Sequence, residues 1–474
     1  MKIYTLIFLI AISTYTAAQN PGTLNPVFSG NGWDSIFGNN NGFEITKILM
    51  QADEKILVCA EGTFSSEAHQ AIIVRYTPDG FPDAAFGGGD GMVRSREDEN
   101  INLFTRAYGM ALQSTGKIIV AGDQLYNSER IFRLNQDGTL DGSFGTDGVI
   151  DLERPNAEFI YHVAVQSDDK VIVCGREMRL VAGVLEPHVF LWRFTADGER
   201  DFSFGDAGVV SYNSSTWLGG FENYLVINDL IVLPDDAILV NQTFTVYPYN
   251  YVMLSKLDAS GTHDTSFGAG GHFLKSVKSN DGNYTYSSSA LQENGSVIST
   301  LTTRDTLNLT YTETIFRVDA LGQPDPSLSL EAADPEYQIV RSELHVTGNL
   351  FYHYRKSDYN TAYSHDAIRC YDLNGSPLTG FGSGGLAIID QNNIPVSSFG
   401  SMVVGENGDL FISSGIPDPV NFSNALFLTS RIKGASNNVS VNNHQFTNSF
   451  TVYPNPSSGL CYLRSSSDTS GGFT

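Results

Sequence analysis

A unit of about 59 residues recurs along the chain, and nothing else constrains the fold as strongly. Its first half is a Gln-led hairpin, best seen in Ala111-Leu112-Gln113-Ser114-Thr115-Gly116-Lys117-Ile118-Ile119-Val120. It returns at Gln51, Gln166 and Gln292, and in weaker form near Leu233, His345 and Gly405. The second half pairs a strand ending in an Asp-Gly turn (Ile131 to Gly138) with Phe-Gly and a glycine turn, as in Asp141 to Val149. Phe-Gly recurs at Phe86, Phe144, Phe204, Phe267 and Phe381, with Phe28-Ser29 and Leu328-Ser329 as degraded copies. Self-similarity at such a period marks a repeat architecture.

Within one unit, apolar residues alternate or run together over a few positions between turn residues, which is strand periodicity. Ile118, Ile119 and Val120 are consecutive, so both faces of that strand should be buried between neighbouring sheets. Four short strands per unit, seven times over, predict an all-β, seven-bladed β-propeller. The chain enters mid-unit at Leu24 to Trp33 and leaves on the complementary strand Leu426 to Lys433, so N- and C-terminal strands are expected to complete one blade. That closure would remove edges open to pairing. An open solenoid is the alternative.

The chain has 474 residues, 41% hydrophobic and 17% charged, with a net charge of −24. That charge has the wrong sign for neutralising nucleic-acid phosphates or holding an anionic membrane. Lys2, the apolar run Tyr4 to Ile12 and small residues up to Ala18 have the order of a secretory signal peptide, giving residues 1–18 as leader and an exported chain. No later apolar stretch reaches the length of a transmembrane helix. Cys59 and Cys174 occupy equivalent strand positions two repeats apart. They read as packed thiols rather than disulfide partners, and neither they nor Cys370 and Cys461 have metal-ligand spacing.

The pattern Gln51 to Val58, Arg75 to Gly80 and Asp83 to Met92 resembles the delta-60 repeat family of bacterial exported proteins, and the resemblance covers nearly all of residues 20–433. It implies a propeller-like repeat domain with no established general activity. Two units depart from it, at Leu328-Ser329 and at Leu233-Pro234-Asp235-Asp236.

Residues 19–433 are therefore taken as the repeat domain and 434–448 as a polar linker. Residues 449–474 form a separate tail. Its Tyr453-Pro454-Asn455-Pro456 followed by Gly459 resembles the C-terminal sorting (Por) domain read by the type IX secretion machinery of Bacteroidota. Only about 25 residues follow the linker, so a partial β-sandwich-type sorting tail is expected. The resemblance implies the secretion machinery as partner and an extracellular or cell-surface address, or a periplasmic one if the shortened tail does not function.

Chemistry is harder to read. Asp79-Gly80, Asp137-Gly138 and Asp197-Gly198 are each followed by Asp83, Asp141 or Asp201, a carboxylate density that calcium could use. Because these residues repeat with the turns, local capping is the simpler reading, and no metal or cofactor site is assigned. Asp229, Glu293, Asp366 and Glu406 break the repeat, as catalytic acids would, but the sequence brings no two of them together. No nucleophile elbow, zinc motif or phosphate loop is present. Two irregular insertions are rich in tyrosine: Tyr247, Tyr249 and Tyr251, and Tyr352 and Tyr354. Such rings suit sugar or peptide contacts, although alternate tyrosines also line ordinary sheet faces. The expectation is a secreted, non-enzymatic binding or scaffold propeller whose ligand is a glycan or surface protein. The alternatives are a polysaccharide-processing enzyme with its site at the propeller mouth, and a structural surface-layer component.

Overall fold

The structure is a computed structural model of the full sequence. It describes residues 33–432 apart from 40–42, 64–68, 96–105, 125–127, 153–156, 214–224, 279–284, 306–309, 329, 331–337, 358–363, 383, 390–397, 406–408 and 418–423, together with 450–455 and 460–465. The leader, the linker, Pro456, Gly459 and Glu406 lie outside the described residues.

The chain is an all-β propeller. Six sheets are built from consecutive antiparallel strands, and their inner strands are Phe43–Met50, Arg106–Leu112, Ala157–Val165, Leu225–Val232, the interrupted pair Thr285–Tyr286 and Ser289–Leu291, and Gln338–Val346. A further sheet is composite: Ser398–Val404, Leu410–Pro417 and Asn424–Ile432 are joined on the outside by Trp33–Asn39. The expected seven copies therefore resolve into six self-contained blades rather than seven, with the remaining sheet assembled from both ends of the repeat region. Among the described residues of the tail, Phe450–Asn455 and Leu460–Ser465 pair as two antiparallel strands.

The repeat consensus is explained by what its residues hold. Phe86, Phe144, Phe204, Phe267 and Phe381 are all buried. Burying such a ring contributes about 1.5–3 kcal/mol. A glycine turn of the following sheet packs on four of these rings: Gly138 on Phe86, Gly198 on Phe144, Gly261 on Phe204 and Gly322 on Phe267. A Cβ on Gly198 would stand 3.0 Å from Phe144 and 2.8 Å from the Gly145 nitrogen. Gly145 has φ of 56° and leaves no room for a side chain, since a Cβ there would lie 2.4 Å from the Val149 carbonyl oxygen.

The arginine before each Asp-Gly turn is buried and paired. Arg75, Arg133, Arg193 and Arg317 meet Asp83, Asp141, Asp201 and Asp325 at 2.8, 2.6, 2.8 and 2.8 Å. The first three also cover Phe86, Phe144 and Phe204 at 4.5, 4.8 and 4.6 Å from the ring centres. Each guanidinium donates to a turn carbonyl of the next sheet: Gln136, Ala196, Ala259 and Leu373. Gln113 and Gln166 do likewise, donating to Asp169 and Asp236 carbonyls at 2.9 Å. The recurring residues are thus sheet-to-sheet connectors, and the Asp83, Asp141 and Asp201 oxygens are engaged by Arg, Ser and main-chain N–H groups.

Because neighbouring strands are antiparallel, the Gln-led and Asp-Gly turns share one face. The hairpins between second and third strands, with the connections between sheets, fall on the other. Cys59, Cys174 and Cys370 are free buried thiols within strands, as expected.

Candidate functional site: the central channel

Six inner strands carry a register irregularity, at Ile45/Lys47, Ala107/Gly109, Ile160/His162, Ile227/Asp229, Ile339/Arg341 and Ser398/Ser401. The fifth breaks between Tyr286 and Ser289. Bulges re-aim side chains. Here they accompany a polar channel of about 130 Å³ along the axis, to which every sheet contributes.

One position forms a ring around it. The residue four places before the consensus Gln, or before Leu233, Thr347 and Gly405, which open the same turn in the fourth, sixth and composite sheets, is Lys47, Gly109, His162, Asp229, Ser288, Glu343 and Ser401 in turn, and all seven line the channel. Equivalent places in the fold therefore carry a cation, an imidazole, two carboxylates, two hydroxyls and a glycine.

Several of these side chains cross to the next sheet. The Asp229 carboxylate accepts the Ser289 N–H at 2.7 Å, and the Ser288 hydroxyl accepts the Leu344 N–H at 3.1 Å. Glu343 accepts the Met402 N–H at 3.0 Å and the Ser401 hydroxyl at 3.2 Å. His162 Nε2 lies 3.2 Å from the Ile227 carbonyl oxygen. The Lys47 ammonium makes no hydrogen bond among the described residues. Burial works to raise the Glu343 carboxyl, but His345 at 3.1 Å, His353 and the Lys47 ammonium outweigh it and hold the group well below its ordinary value.

A second acid lies behind the wall. Burial raises Glu313 to about 7, against hydrogen bonds from Ser342 at 2.8 Å and Thr302 at 3.0 Å. The Tyr352 hydroxyl also donates to it. Ser342 faces the channel, so Glu313 is one hydroxyl removed from the lumen.

The seam between the fourth and fifth sheets joins an apolar cluster of Leu239, Leu254, Phe267, Val297 and Val318 to a patch of buried hydroxyls. Between the second and third, Ile119, Ile131, Phe144, Val171 and Phe190 form an aliphatic and aromatic core. Between the fourth and fifth, Asn241 donates to the Ser287 and Ser289 hydroxyls at 2.8 Å each, and Ser299 and Thr285 are buried with them. Asn241 Oδ1 and Thr285 Oγ1 have no partner among the described residues.

The tyrosines expected to grip a ligand are not brought together. Tyr247 and Tyr249 are 69% and 40% exposed at a hairpin tip of the fourth sheet, and Tyr251 stacks on Phe244 at 5.2 Å. Tyr352 and Tyr354 are interior residues of the sixth sheet, 1% and 0% exposed and stacked at 5.0 Å. Of the repeat-breaking acids, Asp229 reaches the channel, whereas Glu293 lies at an exposed turn and Asp366 on a third strand. Tyr453, Pro454 and Asn455 lie in the first of the tail's two paired strands.

Residues 51–86 and 113–144 match the family model described as "Domain of unknown function (DUF5122) beta-propeller". The chain is a β-propeller repeat protein. Both matched segments begin at the consensus Gln and end at the buried Phe. No curated protein matches the chain. Similar solved structures include the polysaccharide lyase Uly1 (10% identity, TM-score 0.48, 82% of this chain and 90% of that one). The β-propeller domain of the Trilobed protease from Pyrococcus furiosus is another (9%, 0.43, 85% and 99%). A third is the GH74 xyloglucanase from Xanthomonas campestris (12%, 0.39, 81% and 53%). At these identities the likeness is one of fold. No helix among the described residues is long and apolar enough to cross a membrane.

Proposed function

We propose that the chain is an exported, non-enzymatic binding propeller of the delta-60 type, in which the composite sheet closes the ring as a seventh blade and the ligand enters the central channel. The observation that carries this reading is the ring from Lys47 to Ser401. Residues repeated for stability converge on one chemistry, as the Arg–Asp pairs do, whereas the ring position differs from sheet to sheet. Function on a repetitive scaffold resides where the repeat is broken. Lys47 is the group best placed to contact a polar ligand, with His162 beside it in the same channel, because Asp229, Glu343 and His162 Nε2 are engaged with the next sheet. Tyr247 and Tyr249, on the face where the sheets connect, offer a further contact at the rim. Calcium binding and export through the tail are parts of the same reading that need their own tests.

Calorimetric titration of acidic and neutral oligosaccharides and short peptides tests it. Binding of one class, lost in Lys47→Ala and His162→Ala with the fold intact, is the expected result. Binding that survives both changes would place the ligand elsewhere. Asp229 and Glu343 lining one channel favour a second reading, a polysaccharide-processing enzyme. Release of reducing ends from a bound glycan would decide for it.

A further inference from the structure

The longest hairpin of the propeller, Val171–Val181 and Val184–Phe194, turns through Ala182 and Gly183. Its inner neighbour pairs only as far as Glu177 and its outer neighbour only as far as Val189. Among the described residues, Met178 to Pro187 therefore pair as a two-stranded ribbon, with Asn213 donating to Glu186 at 2.6 Å. Leu180 opposes Leu185, and Val181 opposes Val184. Side chains alternate across a ribbon, so the leucines cover one side and the valines the other. Their exposures are 71%, 62%, 40% and 40%. The leucine side continues apolar through Met178 and Pro187, whereas the valine side gives way to Arg179 and Glu186, so the leucine side is the face suited to seating in an apolar cleft.

The same chain offers such a cleft. Between the outer parts of the fourth and fifth sheets, Met253, Ala269, Phe273, Leu274 and Pro324 line an open and largely apolar groove of about 460 Å³. It opens beside the glycine turns of Gly268 and Gly322, the face opposite to the ribbon tip. The fourth strand of the fifth sheet is only Pro324–Asp325, too short to cover it.

We infer that the Leu180–Leu185 tip of one molecule inserts into the Phe273–Leu274 groove of a second copy. Tip and groove lie at different places on one molecule, so the contact is heterologous and leaves a free tip and a free groove at the ends. Molecules would add face to face into open chains rather than closed dimers. The inference does not depend on what occupies the channel.

Sedimentation velocity over a concentration series, using the purified protein, is the test. The expected result is association beyond a dimer at high concentration, weakened about tenfold or more by Leu180→Glu with Leu185→Glu, and equally by Leu274→Glu. Unchanged melting temperatures show that each variant still folds. The mixture of the two variants is decisive. The tip variant keeps its groove and the groove variant keeps its tip, so mixing them should give one-to-one pairs that grow no further. A single species at one-chain mass throughout would overturn the inference. Association indifferent to either variant, or capture of the wild type by phosphatidylcholine vesicles lost only with the tip, would overturn it as well.

Discussion

Glu343 in the sixth sheet accepts the main-chain N–H of Met402, a strand of the composite sheet, at 3.0 Å. Its other oxygen takes the Ser401 hydroxyl. The same relation joins Asp229 to Ser289 and Ser288 to Leu344, so the channel wall is also a set of clasps between sheets. Glu343→Gln keeps an acceptor for the Met402 N–H and should cost little. Glu343→Leu leaves that N–H unpaired and should cost about 1–3 kcal/mol in urea unfolding. Equal stability of the two variants would deny the clasp.

The buried Arg–Asp pairs make a second test, because the sixth sheet has already replaced one. Where other sheets place Arg and Asp, it has Cys370 and Leu378, packed together in an apolar cluster. Asp201→Leu alone strands the Arg193 guanidinium and should destabilise by about 3–5 kcal/mol. Adding Arg193→Cys, which copies the sixth sheet, should recover a good part of that in thermal unfolding. Recovery will be incomplete, since Arg193 also donates to Gln166 and to the Ala259 carbonyl. A double variant no better than Asp201→Leu would show that the pair is not exchangeable.

Stability should depend on pH in three windows. Burial, with the neighbouring His263, lowers His272 from 6.5 to about 4. The folded state thus prefers the neutral ring, and its contribution is full above 6.5 and lost as pH falls toward 4. Burial opposes ionisation of Asp83, Asp141 and Asp201, but hydrogen bonds and the paired arginines outweigh it and lower all three. Their contribution is present above the ordinary value of 3.8 and is lost below it. Glu313 runs the other way: raised from 4.5 to about 7, it stabilises fully below 4.5 and loses that contribution as pH rises to 7. The pH dependence of stability should therefore differ between Glu313→Gln and the wild type from pH 5 to 7, the variant gaining on the wild type as pH rises. The same slope in both would remove Glu313 as its source.

Much of the fold is legible in the sequence because the connectors repeat. Gln113, Arg133, Asp141, Phe144 and Gly145 each satisfy a local rule and a sheet-to-sheet contact, so the pattern is both local and global. The thiols of Cys59 and Cys174 read correctly for the same reason. The channel ring is harder to see. Its signal is position: aligning on the consensus Gln exposes the column from Lys47 to Ser401, of which only Asp229 stands out as a single repeat-breaking acid. Tyr352 and Tyr354 mislead because alternating tyrosines look alike whether they face water or, as here, a buried Glu313 and each other.

The hydroxyl patch in the seam between the fourth and fifth sheets, beside the apolar cluster of Leu239, Phe267 and Val297, should make that seam the weak joint of the ring. Its buried Asn241 and Thr285 atoms forgo hydrogen bonds that would offset their desolvation. Amide hydrogen exchange should be faster in Val297–Asp305 than in Ile118–Gln124, which is flanked by apolar seams. Uniform protection of the two strands would mean that the seam is no weaker than its neighbours.

The central claim is that repeated residues hold the ring and the divergent channel residues hold the ligand. The most direct measurement is the melting temperature of the wild type and of a Lys47→Ala/His162→Ala double variant, each alone and with a panel of glycans and peptides. A ligand at about a hundred times its Kd adds about 2.7 kcal/mol, enough for a visible shift. With each protein compared with its own ligand-free melting temperature, the account predicts a shift, with one ligand class, in the wild type only. The same shift in both proteins would contradict it.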